Sequence, residues 1–303
     1  MKWRKRGLIY APSGNRWWAR RYATLPTAHV VDARVLRVYF AALDDNQYGR
    51  IGYVDVAADD PQRILYETPE PVLNIGALGT FDDCGVNPSC VITIGGTTHL
   101  YYIGWQRAER VPYMLFIGLA SSGDGGRTFR KHARVPLLDR TAEEPFSRSA
   151  PFVGRDDERF RMWYWSCQKW ADEPGGVHYT NVIKTAESAD GLAWRSRAEI
   201  CIPLQGDDEY SVGRPWVVMD GVYRMWYSIR ARSVPYRIGY AESHDGVQWV
   251  RKDEEAGIAV SESGWDSEMI CYPCVVAAGG RTYMFYNGNR HGSTGFGYAV
   301  LEE

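Results

Sequence analysis

The sequence predicts an all-β fold, a five-bladed β-propeller of four-stranded antiparallel blades, with residues 1–303 forming one domain. Two observations predict it. A motif of consecutive strands recurs along the chain, and helical periodicity is almost absent. Units that repeat in this way bury their apolar faces against one another, which is the logic of a propeller.

Each unit opens with a proline followed by an apolar run: LPTAHVV, NPSCVITI, APFVG, RPWVVM and YPCVVA. A denser aromatic strand follows: LRVYFAAL, THLYYIGW, FRMWYWS, YRMWYS and TYMFYNG. An alternating strand comes third, as in GRIGYVDV, MLFIGLAS, NVIKTAES, RIGYAES and GFGYAVLEE. Three units then carry a turn and an aromatic, in SSGDGGRTF (121–129), ESADGLAW (187–194) and ESHDGVQW (242–249). Asp bonds back to the backbone there and Gly supplies a positive φ, so each is a hairpin tip. The first also matches an Asp-box. The last unit stops at its third strand. The segment RGLIYAP near the N-terminus is available to supply the fourth and close the ring, which would leave no unpaired edge.

Composition narrows the function. A net charge of −2 argues against nucleic acid as a partner. No apolar run is long enough to span a membrane. The basic start, MKWRKRGLIYAPSG, lacks the apolar length and cleavage site of a signal peptide, so a cytoplasmic location is expected. The six cysteines read as reduced thiols, and the lone Cys271-Tyr-Pro-Cys274 lacks further ligands at zinc spacing. Neither metal nor cofactor is expected, and oligomeric state is not legible. The unusual feature is aromatic content, 14%, with 12 Trp and 20 Tyr. Such rings serve a core, and they also give flat faces for sugar stacking with a polar atom to spare.

Acids recur just before the proline strands, in FDDCGVNP, EEPFSRSAP, DDEYSVGRP and WDSEMICYP. If first strands line a central axis, these segments gather at one end of it. Carboxylates far apart in sequence would then converge on one funnel.

With these motifs the chain resembles the five-bladed propeller carbohydrate enzymes, glycoside hydrolase families 43, 32 and 130. It is most similar to the family-130-like predicted glycosidases associated with bacterial surface-polysaccharide clusters. GLIYAP, FDDCGV, YRIGYAES, GWDSEMICYP and YNGNRHGSTGFG carry that resemblance, over nearly the whole chain. It implies a glycosidase, or a related transferring or phosphorolytic enzyme. One departure stands out. Where family 130 has its general acid, in a Gly-x-Glu-Asp-Pro-Arg-like stretch, this chain has Gly85-Val86-Asn87-Pro88-Ser89. An amide cannot deliver a proton, so that mechanism does not carry over.

Glycoside cleavage needs two carboxyl groups in different protonation states. The candidates are Asp82, Asp83, Glu209, Asp266 and Glu268, and ion pairing is the competing role for each. Arg148, Arg214, Arg230, Arg290 and His291 could hold a carboxylate or phosphate, on an anionic, phosphorylated or nucleotide-linked sugar. Counter-ions for the acids are the alternative. Trp105, Trp170 and Tyr236 are candidates for stacking on sugar, and Asn287 and Asn289 for bonding its hydroxyls. A carbohydrate-binding propeller without catalysis and a protein-binding scaffold are the other two functions the sequence allows. The sugar and the stereochemical outcome are not encoded in any motif.

Overall fold

A computed structural model describes residues 1–302 except 157–158 and 174–175. The architecture is all-β and propeller-like. β1 is Trp3–Tyr10. β2 (Arg21–Val30), β3 (Val35–Leu43), β4 (Gly49–Ala57) and β5 (Ile64–Glu67) follow as an antiparallel meander. The next is β6 (Gly85–Ile94), β7 (Thr97–Arg107), β8 (Tyr113–Ser122) and β9 (Arg130–Lys131). The third is β10 (Arg148–Asp156), β11 (Arg159–Glu173), β12 (Gly176–Ser188) and β13 (Arg195–Ile202). The fourth is β14 (Glu209–Asp220), β15 (Val222–Ala231), β16 (Arg237–Ser243) and β17 (Val250–Arg251). The last strands are β18 (Cys271–Ala278), β19 (Arg281–Asn287) and β20 (Phe296–Leu301), and β20 pairs antiparallel with β1. Single parallel bridges, Gly49 to Gly85 and Asn181 to Ser211, join neighbouring meanders into two sheets of eight strands beside one of four. Among the described residues none of the sheets closes on itself. Among the described residues no helix is long and apolar enough to cross a membrane.

Apolar side chains pack between successive meanders rather than at one centre. Tyr39 and Ile51 meet Val86 and Tyr102; Tyr101 and Ile117 meet Met162 and Tyr164; Trp163 and Ile183 meet Met225 and Tyr227. The last core joins Trp226 to Phe285 and Phe285 to Phe40 and Val54, so the end of the chain packs on its start. The hairpin tips clasp the preceding meander. Carbonyls of Gly126, Gly191 and Gly246 accept from Tyr39 Oη, Tyr101 Oη and Trp163 Nε1, at 2.7, 2.8 and 2.8 Å. Within each tip the serine hydroxyl donates to the aspartate, as Ser188 does to Asp190 at 3.0 Å.

The first strand of each meander is interrupted at its proline. The register slips between Pro88 and Cys90, Ser149 and Phe152, Gly213 and Trp216, and Cys271 and Cys274. The residue before the proline takes a left-handed backbone at Leu25, Ala150, Arg214 and Tyr272, with φ of 57°, 47°, 54° and 59°. Proline already disfavours the right-handed helical region for its predecessor. A left-handed non-glycine residue costs about 1–3 kcal/mol and needs surrounding structure to hold it. Side-chain caps do so: Leu25 N donates to Asn287 Oδ1 at 2.7 Å, and Tyr272 N to Ser228 Oγ at 2.8 Å. A bulge bends its strand and re-aims one side chain. Here the re-aimed residues border one cavity.

Candidate functional site

The cavity has a volume of about 590 Å³. Leu25, Asn87, Ala150, Arg214 and Tyr272, the residues just before the prolines, all border it, with Ser149 and Gly213 beside them. Its walls are aromatic: Trp105, Tyr113, Trp165, Tyr179, Tyr236 and Tyr272. Two indoles lie directly against inner-strand glycines. A Cβ on Gly85 would fall 2.1 Å from the Trp105 ring, and one on Gly213 would fall 2.4 Å from Trp165. No larger residue fits under either ring. β11 and β12 form the longest hairpin, and it carries Tyr179 into the cavity wall.

The charged lining is cationic: Arg107, Arg214 and Arg230, with His291 beside them. The Arg230 guanidinium lies 5.3, 5.1 and 4.7 Å from the rings of Tyr179, Tyr210 and Tyr236, within cation–π range. Burial, and then the charge of Arg230, pull the His291 imidazole below its ordinary value, so it is neutral at pH 7. Burial pulls the Arg214 guanidinium down to about 10, still protonated at neutral pH. Burial raises the phenols of Tyr236 and Tyr272, keeping both neutral. Among the described residues no Asp or Glu borders the cavity.

The predicted acids are therefore placed differently from the funnel expected of them. Asp82 is 1% exposed and takes Lys131 Nζ at 2.6 Å, Tyr102 Oη at 2.8 Å and Thr80 Oγ1 at 3.0 Å. Asp266 takes Lys5 Nζ at 2.7 Å and Tyr286 Oη at 2.8 Å. Glu209 takes Arg251 at 2.8 Å, and Arg251 also holds Asp253, which accepts from Tyr227 Oη at 2.6 Å. Glu144 follows the same plan, with Arg148 at 2.8 Å, Lys184 at 3.5 Å and Tyr164 Oη at 3.0 Å. The acids thus form a recurring clasp: a carboxylate held by a base and by the tyrosine of the second strand for Asp82, Glu144 and Asp266, with Asp253 rather than Glu209 taking that tyrosine beside Arg251. β3 has Phe40 where the others have that tyrosine, and Trp18 stacks on it at 6.0 Å in place of a clasp. Asp83 Oδ2 accepts from Gly79 N at 2.8 Å, and Glu268 is exposed. Neither is in an ion pair among the described residues, and neither borders the cavity.

Of the predicted binding residues, Trp105, Arg214, Arg230, Tyr236 and His291 come together in the cavity. Trp170 stands behind its wall, 6.1 Å from the Tyr113 ring and 5.4 Å from Tyr179. Arg148 is the partner of Glu144 and does not border the cavity. Asn287 is fully buried outside the cavity lining and bonds Leu25 N, Ala23 O and Gly295 O, so both its amide hydrogens are used within the fold. Asn289 caps the backbone of Glu268 and Met269 and donates to Gly264 O at 3.0 Å. Arg290 is exposed in a left-handed turn with φ 53°. Sequence reasoning missed Tyr113, Trp165, Tyr179, Ser149 and Tyr272. For Tyr272 the signal was present, since the residue before each repeat's proline is the one that meets the cavity.

In fold the molecule is similar to solved propeller-like structures described as glycoside hydrolases. It superposes on a structure described as "Glycoside hydrolase" with a TM-score of 0.78 at 19% identity, over 98% of this chain and 90% of that one. It also superposes on a point mutant of the Bombyx mori family-32 beta-fructofuranosidase BmSUC1 in complex with sucrose, with a TM-score of 0.63 at 14% identity. That match covers 94% of this chain and 62% of the silkworm protein. No family model matches the sequence. Over all 303 residues of both chains it is 41% identical to "Uncharacterized protein Rv1502" of Mycobacterium tuberculosis strain H37Rv, and it belongs to the family of that protein.

Proposed function

We propose that this is a carbohydrate-active protein that holds a glycan in the aromatic cavity. In this reading the meanders are five four-stranded blades of one domain, with β1 completing the last. The observation that carries it is the cavity itself. Flat aromatic faces line a space of about 590 Å³, with Asn87, Ser149, Ser211 and Ser228 among them to bond hydroxyls. Ligand sites are built this way, from apolar walls with a few placed polar groups. The glycoside hydrolase fold of the structural neighbours supports a glycosidase-like activity by analogy of fold. Asp82, Glu209 and Asp266 are engaged in clasps, so the enzymatic form of the reading leaves proton donation to Asp83 or Glu268 and requires that acid to reach a sugar extending beyond the cavity lining.

Binding without cleavage is a second reading, and a specific observation favours it. Two-carboxylate hydrolysis needs acids on both sides of the scissile bond. Among the described residues the cavity presents none, and Asn87 borders it where family 130 would place its acid. Incubation with an oligosaccharide panel, read by mass spectrometry and by titration calorimetry, tests both. Cleavage that falls on the order of a hundredfold in Asp83→Asn or Glu268→Gln supports the enzymatic form. Binding that weakens in Trp105→Ala, with no cleavage of any member, supports the second. An absence of both binding and cleavage across the panel would sink the carbohydrate reading.

A further inference from the structure

We infer that the occupant of the cavity carries a carboxylate, and that Arg214 is its anchor. The ligand class is a glycan bearing an acidic sugar, either a uronic acid or a sugar with a carboxyl-bearing acetal. This rests on the reading of the cavity as a glycan site, and it adds the chemistry that selects among glycans.

Arg37, Arg50, Arg148 and Arg214 are the buried arginines among the described residues. Three have an acid in contact: Arg37 with Asp55 at 2.7 Å, Arg50 with Asp44 at 2.5 Å, and Arg148 with Glu144 at 2.8 Å. Arg214, 2% exposed, has none. Its Nη2 donates to Thr27 Oγ1 at 2.9 Å, while Nε and Nη1 have no partner. A buried charge left without a counter-charge is strongly unfavourable, and proteins pair such groups or use them. The neighbouring groups supply no negative charge. Cys90 and Cys274 lie close enough to feel the guanidinium, yet burial pushes their thiols up to about 11 and about 12. The Tyr272 phenol is held neutral in the same way. Arg214 also takes the strained left-handed backbone before Pro215, and it borders the cavity. Ser149, beside the matching position of the preceding meander, borders the cavity too, and its buried Oγ has no partner.

A carboxylate suits this receptor better than a phosphate monoester. One buried, planar guanidinium balances one negative charge, and its fork matches two coplanar oxygens. Arg107 Nη2 is engaged by the carbonyls of Asn46 and Gln47 at 3.0 and 2.8 Å, while Arg230 lies against three tyrosine rings as Arg214 lies against Trp216, so phosphate stands as the competing ligand in the test. The aromatic walls would take the ring that carries the acid.

The test is titration calorimetry of the full chain at pH 7 with methyl β-glucuronide, its neutral methyl ester, a pyruvyl acetal of methyl galactoside, and inorganic phosphate. The expected result is at least tenfold tighter binding of one acid than of the ester, with the two acids ranking uronate against acetal. Arg214→Met should bind acid and ester alike, at about the affinity of wild type for the ester. Without sugar it should melt no lower than wild type, because an unpaired buried charge has gone. Arg214→Lys, which keeps the charge without the fork, should retain part of the preference. Equal binding of acid and ester by wild type overturns the inference and leaves the glycan reading standing. So does phosphate displacing the acids at equal concentration. A full preference surviving in Arg214→Lys, with Arg214→Met melting below wild type, makes the arginine structural and likewise overturns it. Binding of none of the sugars removes the glycan reading, and this inference with it.

Discussion

Replacing Asn287 by alanine separates a structural role from a sugar-binding one. The side chain is fully buried and makes three bonds, to Leu25 N at 2.7 Å, Ala23 O at 2.7 Å and Gly295 O at 2.9 Å. Truncation strands the Leu25 N–H, at a cost of about 1–3 kcal/mol for an unsatisfied buried donor. Two carbonyls each lose a donor, about 1 kcal/mol apiece. The sum is about 3–5 kcal/mol, a large share of the stability of a typical domain. The loss falls where Leu25 is held left-handed, so it also releases strain that the cap was restraining. Equilibrium urea unfolding, followed by tryptophan fluorescence and far-UV circular dichroism, measures it. Asn287→Ser is the control, because Ser228 performs the same capping of Tyr272 N from β15. It should recover the Leu25 bond and lose roughly half as much. A loss below about 1 kcal/mol in Asn287→Ala would refute the capping argument. Stability left intact while sugar affinity collapsed would return Asn287 to the site.

Two further outcomes follow from the clasps. Lys131→Met leaves the Asp82 carboxylate buried with Tyr102 and Thr80 alone, and should cost about 3 kcal/mol; adding Asp82→Asn should restore most of it, as judged by urea midpoints. Burial works to raise the Glu144 carboxyl, but hydrogen bonds from Ser166 and Ser196 and the charges of Arg148 and Lys184 outweigh it and hold it below its ordinary 4.5. A depressed acid stabilises fully above that ordinary value, and the contribution is lost as pH falls through the folded one. Melting temperature should therefore drop between about pH 4.5 and lower values, and Glu144→Gln should flatten that limb; an unchanged limb in the variant would assign the acid sensitivity elsewhere.

Strand order was legible because period-2 alternation and prolines mark each unit, and because Ser-x-Asp-Gly can do little but turn. The tips proved to have a second role that no local pattern carries, since their carbonyls are bound by Tyr39, Tyr101 and Trp163 of the preceding meander. The acids were harder. Asp82, Glu209 and Asp266 stand only a few residues before the proline that turns into the cavity, yet Asp82 and Asp266 face the second-strand tyrosines and Glu209 faces Arg251 instead. Nearness in sequence does not fix which side of a strand a loop residue faces. The one-letter pattern did hold the answer in part: a tyrosine stands in β7, β11, β15 and β19 where β3 has Phe40, and the acids recur only with the tyrosine. Tyr113 and Tyr179 were out of reach, because a long hairpin's course over a neighbouring unit is set by tertiary packing.

The pairing of β1 with β20 has a consequence during synthesis. Trp3–Tyr10 is made long before its partner, Phe296–Leu301. At about 5–20 residues per second, the ribosome separates them by roughly 15–60 s. Through that interval β1 is a strand without its neighbour, open to pairing with other nascent chains on the same message. Arg4, Lys5 and Arg6 lie along it, and like charges on a waiting strand repel its own copies. The basic run along β1 then acts as a temporal guard, and part of it is discharged when Glu302 arrives to pair with Lys2 and Arg4 and Asp266 has taken Lys5.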